Sequence, residues 1–187
     1  MNLPNLLTLT RIFLIPLLIV ALLYGHKNLT ATFIFSFAAV TDWLDGLIAR
    51  KRNQVTDFGK LFDPIADKLL ISAALISLVG LQRVPAWIAV ILISREFAVT
   101  GLRGIIAKEG HIIAAEKLGK LKLVVQIIGI IIIMSNITWM NSVILAAANY
   151  SIPLQPGLIT LEIATILSVI SGVQYFRAHW NKIHTNS

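Results

Sequence analysis

The sequence predicts an all-α integral membrane fold with six transmembrane helices, and three observations carry that expectation. The chain has 187 residues, 57% of them hydrophobic, with a mean hydropathy of +0.82; soluble domains hold about 45–50% apolar residues. Six apolar segments follow one another at residues 6–24, 29–50, 60–80, 84–108, 117–137 and 158–177. Each is about 20 residues long, enough at about 1.5 Å per residue to cross a hydrocarbon layer of about 30 Å. Lys and Arg alternate in abundance between successive connections, as the two faces of a membrane require.

In the first segment Arg11 interrupts the apolar run and no small-residue cleavage pattern follows Leu23, so it reads as a retained helix. Pro4 suits a first helical turn, and Asn2 or Asn5 is available as a cap, which makes the residues before about Arg11 a short N-terminal interfacial segment. Segments two to four carry charges, yet their continuous apolar flanks argue that they cross as well. Segment five carries no charge in its outer half, and segment six carries only Glu162 there. The whole chain, 1–187, reads as a single membrane-embedded domain. Arg11, Arg50, Lys51, Arg52, Lys60, Lys108, Lys117, Lys120, Lys122, Arg177 and Lys182 fall on one side, against Lys27 and Arg83 on the other. By the positive-inside rule both termini, and the connections after segments two and four, face the cytoplasm. The net charge of +7 therefore serves orientation and anionic headgroups; no aromatic-interleaved basic surface of the kind that binds nucleic acid is present.

The absence of Cys excludes disulfides, thiolate ligands and a Cys nucleophile, leaving oxygen donors and hard cations as the main option for a metal. Four of the five Asp, namely Asp42, Asp45, Asp63 and Asp67, stand at spacings of three and four within apolar helical segments. A carboxylate at membrane depth is costly and faces a partner or an aqueous cavity. With Arg50 and Lys60 at the interface, Asp45 and Asp42 lie about 7 and 12 Å inside it, and Asp63 and Asp67 about 5 and 10 Å. Each pair shares a helix face, and the short connection makes the two helices antiparallel neighbours, so four carboxylates converge. They would repel one another unless cations neutralised them. An oxygen cluster of this kind suits Mg²⁺ or Mn²⁺, and two such ions about 3.5–4 Å apart clamp a phosphoryl group during in-line displacement. Gly46, Ala49 and Gly59 offer small surfaces near the carboxylates, read either as room for a ligand or as close helix packing. Arg50 is either a phosphate ligand or an interfacial anchor.

Asp42-Trp-Leu-Asp45-Gly46-Leu-Ile-Ala49-Arg50, eight residues, then Gly59-Lys-Leu-Phe-Asp63-Pro-Ile-Ala-Asp67 resembles the complete signature of the CDP-alcohol phosphotransferase family. The resemblance implies a six-helix membrane enzyme, usually a homodimer, that moves a phosphatidyl or related group from a CDP-linked donor to an alcohol and releases CMP. By that analogy Asp42, Asp45, Asp63 and Asp67 hold two metal ions, Asp67 is also the catalytic base, and Gly46, Ala49, Arg50 and Gly59 line the site of the donor's CDP moiety.

The fourth segment holds Arg95-Glu96 and Arg103, and the fifth opens Lys117-Leu-Gly119-Lys120-Leu-Lys122, with Gln126 beyond. This is a basic wall facing an acidic one. Costly charges at that depth are expected to bind an anion; the alternative is salt bridging to Glu96 and Glu116, with the lysines as interfacial anchors. Together with Pro4-Asn5-x-x-Thr8-x-x-Arg11, the pattern is similar to the bacterial phosphatidylglycerophosphate synthase branch of the family. That similarity implies CDP-diacylglycerol as donor and glycerol 3-phosphate as acceptor, the latter held by Arg95, Arg103, Lys117, Lys120 and Lys122. Leu123 departs from the branch, which often has a hydroxyl residue there. A cardiolipin synthase, whose acceptor is itself a lipid, is the alternative within the family. A cation transporter is the alternative outside it, but a transport path places ionisable groups across both halves of the membrane, whereas the outer halves of segments two, three and five carry none and that of segment six carries Glu162 alone.

Overall fold

A computed structural model of the chain describes residues 3–24, 29–52, 57–108, 117–135 and 155–184, with side chains at 3–8, 42–52, 57–64, 107–108, 117 and 179–184 outside the description. The described residues form six helices and no strand: α1 (Leu3–Tyr24), α2 (Leu29–Arg52), α3 (Asp57–Gly80), α4 (Ala86–Lys108), α5 (Lys117–Ser135) and α6 (Pro156–His184). Each expected segment is thus one helix, and the ends fall within a few residues of the apolar limits except at α6, which continues to His184. Two helices contain stretches long and apolar enough to cross a membrane on hydropathy alone, Leu118–Ser135 and Pro156–Ala178, while Leu9–Tyr24 and Leu29–Thr41 are shorter apolar stretches. Arg95, Glu96 and Arg103 keep α4 out of the first group. α1 runs unbroken from Leu3 through Arg11, so the expected interfacial segment is continuous with the helix and not a separate element.

Local chemistry explains the boundaries. α3 ends in a Schellman arrangement: Arg83 N donates to Leu78 O and Gln82 N to Val79 O, both at 2.9 Å, while Gln82 takes φ = 57°. That left-handed residue reverses the chain, and Pro85 immediately before α4 discourages any continuation of α3. At α6, Pro156 occupies the first helical position, where its missing N–H costs nothing, and Gln155 O accepts from Leu158 N and Ile159 N at 2.9 and 3.1 Å. Within the helices, Thr160 and Thr165 return their hydroxyls to carbonyls four residues earlier, at 2.7 and 2.8 Å. These bonds satisfy the hydroxyls without outside partners.

Packing joins the six helices around a common core. α5 and α6 share the most extensive contact; α1 packs on α3 and α2, α4 on α6 and α3, and α2 on α5. Leu18, Phe35, Leu75, Ile88, Ile130 and Leu161 bring one residue from each helix into one buried cluster. Close approach of α5 and α6 depends on Gly157: a Cβ there would stand 2.5 Å from Ile133 Cγ1 and 3.0 Å from the Ile133 backbone nitrogen. A smaller buried cluster of Val99, Leu102, Ile106 and Tyr175 ties the ends of α4 and α6 together. The exterior is as apolar as the interior: Phe13 and Phe33 are 75% and 72% exposed, while Lys122, Gln126, Ser168 and Ser171 are fully buried. An apolar exterior around a core that also buries charged and polar groups is unlike a water-soluble bundle.

Candidate active site

The charged residues of α3, α4 and α5 meet around a cavity of about 230 Å³. α3 contributes Asp67 and Lys68 at the outer part and Ile71 and Ser72 one turn further along; α4 contributes Arg103, Thr100, Glu96 and Arg95, and α5 contributes Gly119, Lys120, Leu123 and Gln126. Of the expected site residues, the structure brings together Asp67, Arg95, Arg103 and Lys120. This joins one member of the carboxylate set to the basic wall. The side chains of Asp42, Asp45, Arg50 and Asp63, the surroundings of Gly46, Ala49 and Gly59, and the side chain of Lys117 lie outside the described residues, although all eight positions fall within helices.

Each basic residue is held differently. Arg95 is clamped from α6: its Nη2 donates to Ser171 Oγ at 2.7 Å, its Nε to the Ser168 carbonyl at 3.3 Å, and its Nη1 reaches Glu96 Oε1 at 3.4 Å. Gly172 makes room for this, since a Cβ there would meet Arg95 Cγ at 3.3 Å. Arg103 is exposed, with its guanidinium 5.3 Å from the centre of the Tyr175 ring. A cation over an aromatic face is steadied without losing its hydrogen-bond donors. Lys120 is exposed on the cavity wall.

Lys122 stands apart from the expected acceptor set. It is fully buried, donates its ammonium to Glu96 Oε1, and is not part of the cavity wall. The salt-bridge alternative for this lysine is the arrangement observed: its ammonium is taken by Glu96 of α4. Glu96 thereby bridges Lys122 and Arg95. Three groups are additional to the expected set. Lys68 adjoins Asp67, and its signal was a lone cation in the middle of an apolar helix. Ser168 and Ser171 fix Arg95, and nothing in the sequence distinguishes them from the other hydroxyl residues of α6.

Asp67 is a half-buried carboxylate at an open cavity; the other three carboxylates lie on α2 and α3 with side chains outside the described residues. Among the described residues no group of three possible metal ligands comes together, although oxygen donors of this kind would suit a hard divalent cation. The Asp67 carboxylate shares the wall of this cavity with the cationic side chains of Arg95, Arg103 and Lys120.

The family model for CDP-alcohol phosphatidyltransferase matches residues 1–172, and the chain belongs to that family. A Bacillus subtilis protein named CDP-diacylglycerol–glycerol-3-phosphate 3-phosphatidyltransferase is 40% identical, covering 100% of this chain and 99% of its own length. The protein of the same name from Rickettsia felis is 38% identical over 95% of this chain and 94% of its own length. A probable phosphatidylglycerophosphate synthase from Mycobacterium tuberculosis is also 38% identical, over 93% of this chain and 79% of its own.

Proposed function

We propose that the protein transfers the phosphatidyl group of CDP-diacylglycerol to glycerol 3-phosphate, giving phosphatidylglycerophosphate and CMP. The observation that carries this reading is the cavity walled by Asp67 on one side and by Arg103 and Lys120 on the other. A neutral alcohol has no need of two cations beside the base; a phosphorylated one does. The names of relatives at 34–40% identity agree with it.

All six helices cross the bilayer in this reading, with both termini and the cavity mouth on the cytoplasmic side, where a water-soluble acceptor is available. The apolar exterior and the one-sided distribution of Lys and Arg support it. The domain is a single unit that works as a homodimer, as the family resemblance implies.

Arg103 and Lys120 hold the acceptor phosphate. Arg95, clamped by Glu96, Ser168 and Ser171, shapes the wall behind it, and Lys122 keeps Glu96 in place. Asp67 takes the proton of the attacking hydroxyl. That oxygen forms a bond to the lipid-bearing phosphorus, and the bond from this phosphorus to the CMP oxygen breaks, leaving CMP with the electron pair. Gly46, Ala49, Arg50 and Gly59 receive the nucleotide. Asp42, Asp45, Asp63 and Asp67 hold Mg²⁺ or Mn²⁺, two per site, which supply charge neutralisation of the diphosphate.

The test is CMP release by purified protein with CDP-diacylglycerol and a panel of alcohols. Release with glycerol 3-phosphate, and not with inositol, serine or phosphatidylglycerol, is expected. Release with phosphatidylglycerol alone would assign a cardiolipin synthase instead.

A further inference from the structure

The cavity changes character along α5. Lys120 stands near its mouth, Leu123 follows about one turn deeper, and Gln126 lies about 9 Å beyond Lys120 at about 1.5 Å per residue. Around this inner end the wall is made by Ile71, Leu92, Ile93 and Leu123, with Ser72 and Gln126 as its polar members. Gln126 is 0% exposed, and neither its Oε1 nor its Nε2 has a hydrogen-bond partner. A carboxamide offers two donors and an acceptor, and burying all of them unpaired is a cost that proteins avoid unless a ligand repays it. Its side chain leans toward the N-terminal end of α5, and so back toward the cavity mouth, as helical side chains do.

Resting on the acceptor reading above, we propose that Gln126 is a specificity-determining residue that binds the non-reacting hydroxyl of the acceptor. Its Oε1 accepts from the secondary O–H, and its Nε2 donates to an acceptor oxygen. Arg103 and Lys120 recognise the phosphate, Asp67 takes the proton of the reacting hydroxyl, and Gln126 checks for the hydroxyl between the two ends. The chemical class selected is a phosphorylated polyol, as opposed to a phosphorylated simple alcohol. A site built around a hydroxyl discriminates against the analogue lacking it, because its buried polar groups are then left unpaired.

The test compares glycerol 3-phosphate with 3-hydroxypropyl phosphate, which keeps the phosphate and the reacting hydroxyl and lacks the secondary one. The native protein is expected to prefer glycerol 3-phosphate in kcat/KM by about 10- to 100-fold. Gln126→Leu, close to the same volume, is expected to remove that preference by lowering kcat/KM for glycerol 3-phosphate and leaving 3-hydroxypropyl phosphate within about threefold of native. Arg103→Ala is expected to lower both acceptors together. Without substrate, Gln126→Leu melts at or above the native temperature in detergent, since it removes an unpaired buried amide. A lower melting temperature, or equal losses for the two acceptors, would make Gln126 a structural residue and overturn the proposal. If CMP release requires a different alcohol, the acceptor reading falls, and Gln126 is scored by the same ratio on that alcohol and its deoxy analogue.

Discussion

Asp67 and Lys68 are neighbours in sequence and both line the cavity; the proposed mechanism assigns the proton of the attacking hydroxyl to the carboxylate. Asp67→Asn keeps the shape and one oxygen while removing the base. CMP release is therefore expected to fall by about 10²-fold or more with donor binding retained, measured by turnover beside a nucleotide-binding titration. Asp42→Asn or Asp63→Asn is expected to weaken metal and donor binding together. A near-native kcat in Asp67→Asn would remove it from the role of base. A second single-residue effect concerns stability. Gln82 sits at φ = 57°, a conformation that a side chain makes costly by about 1–2 kcal/mol. Because glycine gives back part of this through its freer unfolded chain, Gln82→Gly is expected to gain about 0.5–1 kcal/mol, read as a higher melting temperature with activity unchanged.

Between helices, the buried charges are coupled across α4 and α5. Lys122 is fully buried against Glu96, which keeps partial access to the cavity. Removing one member of a buried pair strands the other, so Lys122→Met is expected to cost about 3 kcal/mol, the low end for such pairs because Glu96 can still be hydrated. Adding Glu96→Gln to Lys122→Met is expected to restore most of this loss, and a double-mutant cycle on melting temperature checks the coupling. Additive losses would mean the two groups act independently. Among the described residues α5 and α6 are held by close contact: Gly157→Ala forces a Cβ to within 3.0 Å of the Ile133 backbone nitrogen and is expected to cost about 1–3 kcal/mol. These examples show which features were legible. The six helices were, because apolar length and breakers such as Gly80, Pro85 and Pro156 act locally. Asp67, Arg103 and Lys120 were, because charge in an apolar segment has few explanations. The partner of Lys122 was not, since choosing between Glu96 and the anion depends on how α5 is rotated against α4. Neither was the Ser168 and Ser171 clamp on Arg95, which exists only once α6 is packed on α4.

At the scale of the whole molecule, an apolar exterior encloses a cavity with Asp67 on α3 and the cationic groups of Arg103 and Lys120 on α4 and α5. In the proposed function that division separates the two substrates. With carboxylates alone as ligands for the donor's metals, EDTA is expected to abolish CMP release and Mg²⁺ or Mn²⁺ to restore it; full turnover in chelator would sink the metal-dependent reading. The acceptor is assigned to different helices and to charge. Once it fills the cavity and excludes water, each cation makes a charge-assisted contact of about 1.5–3 kcal/mol. Arg103→Ala or Lys120→Ala is therefore expected to lower kcat/KM for glycerol 3-phosphate by about 10- to 150-fold. The apparent affinity for CDP-diacylglycerol should change little, because its diphosphate is assigned to α2 and α3. Arg103 also packs over Tyr175 of α6, so the variant needs a control for lost packing: Arg103→Lys keeps the charge and loses the planar stack, and is expected to recover most of the acceptor's kcat/KM. Equal losses for donor and acceptor in Arg103→Ala, with no recovery in Arg103→Lys, would make Arg103 a brace between α4 and α6 and leave the acceptor phosphate to Lys120.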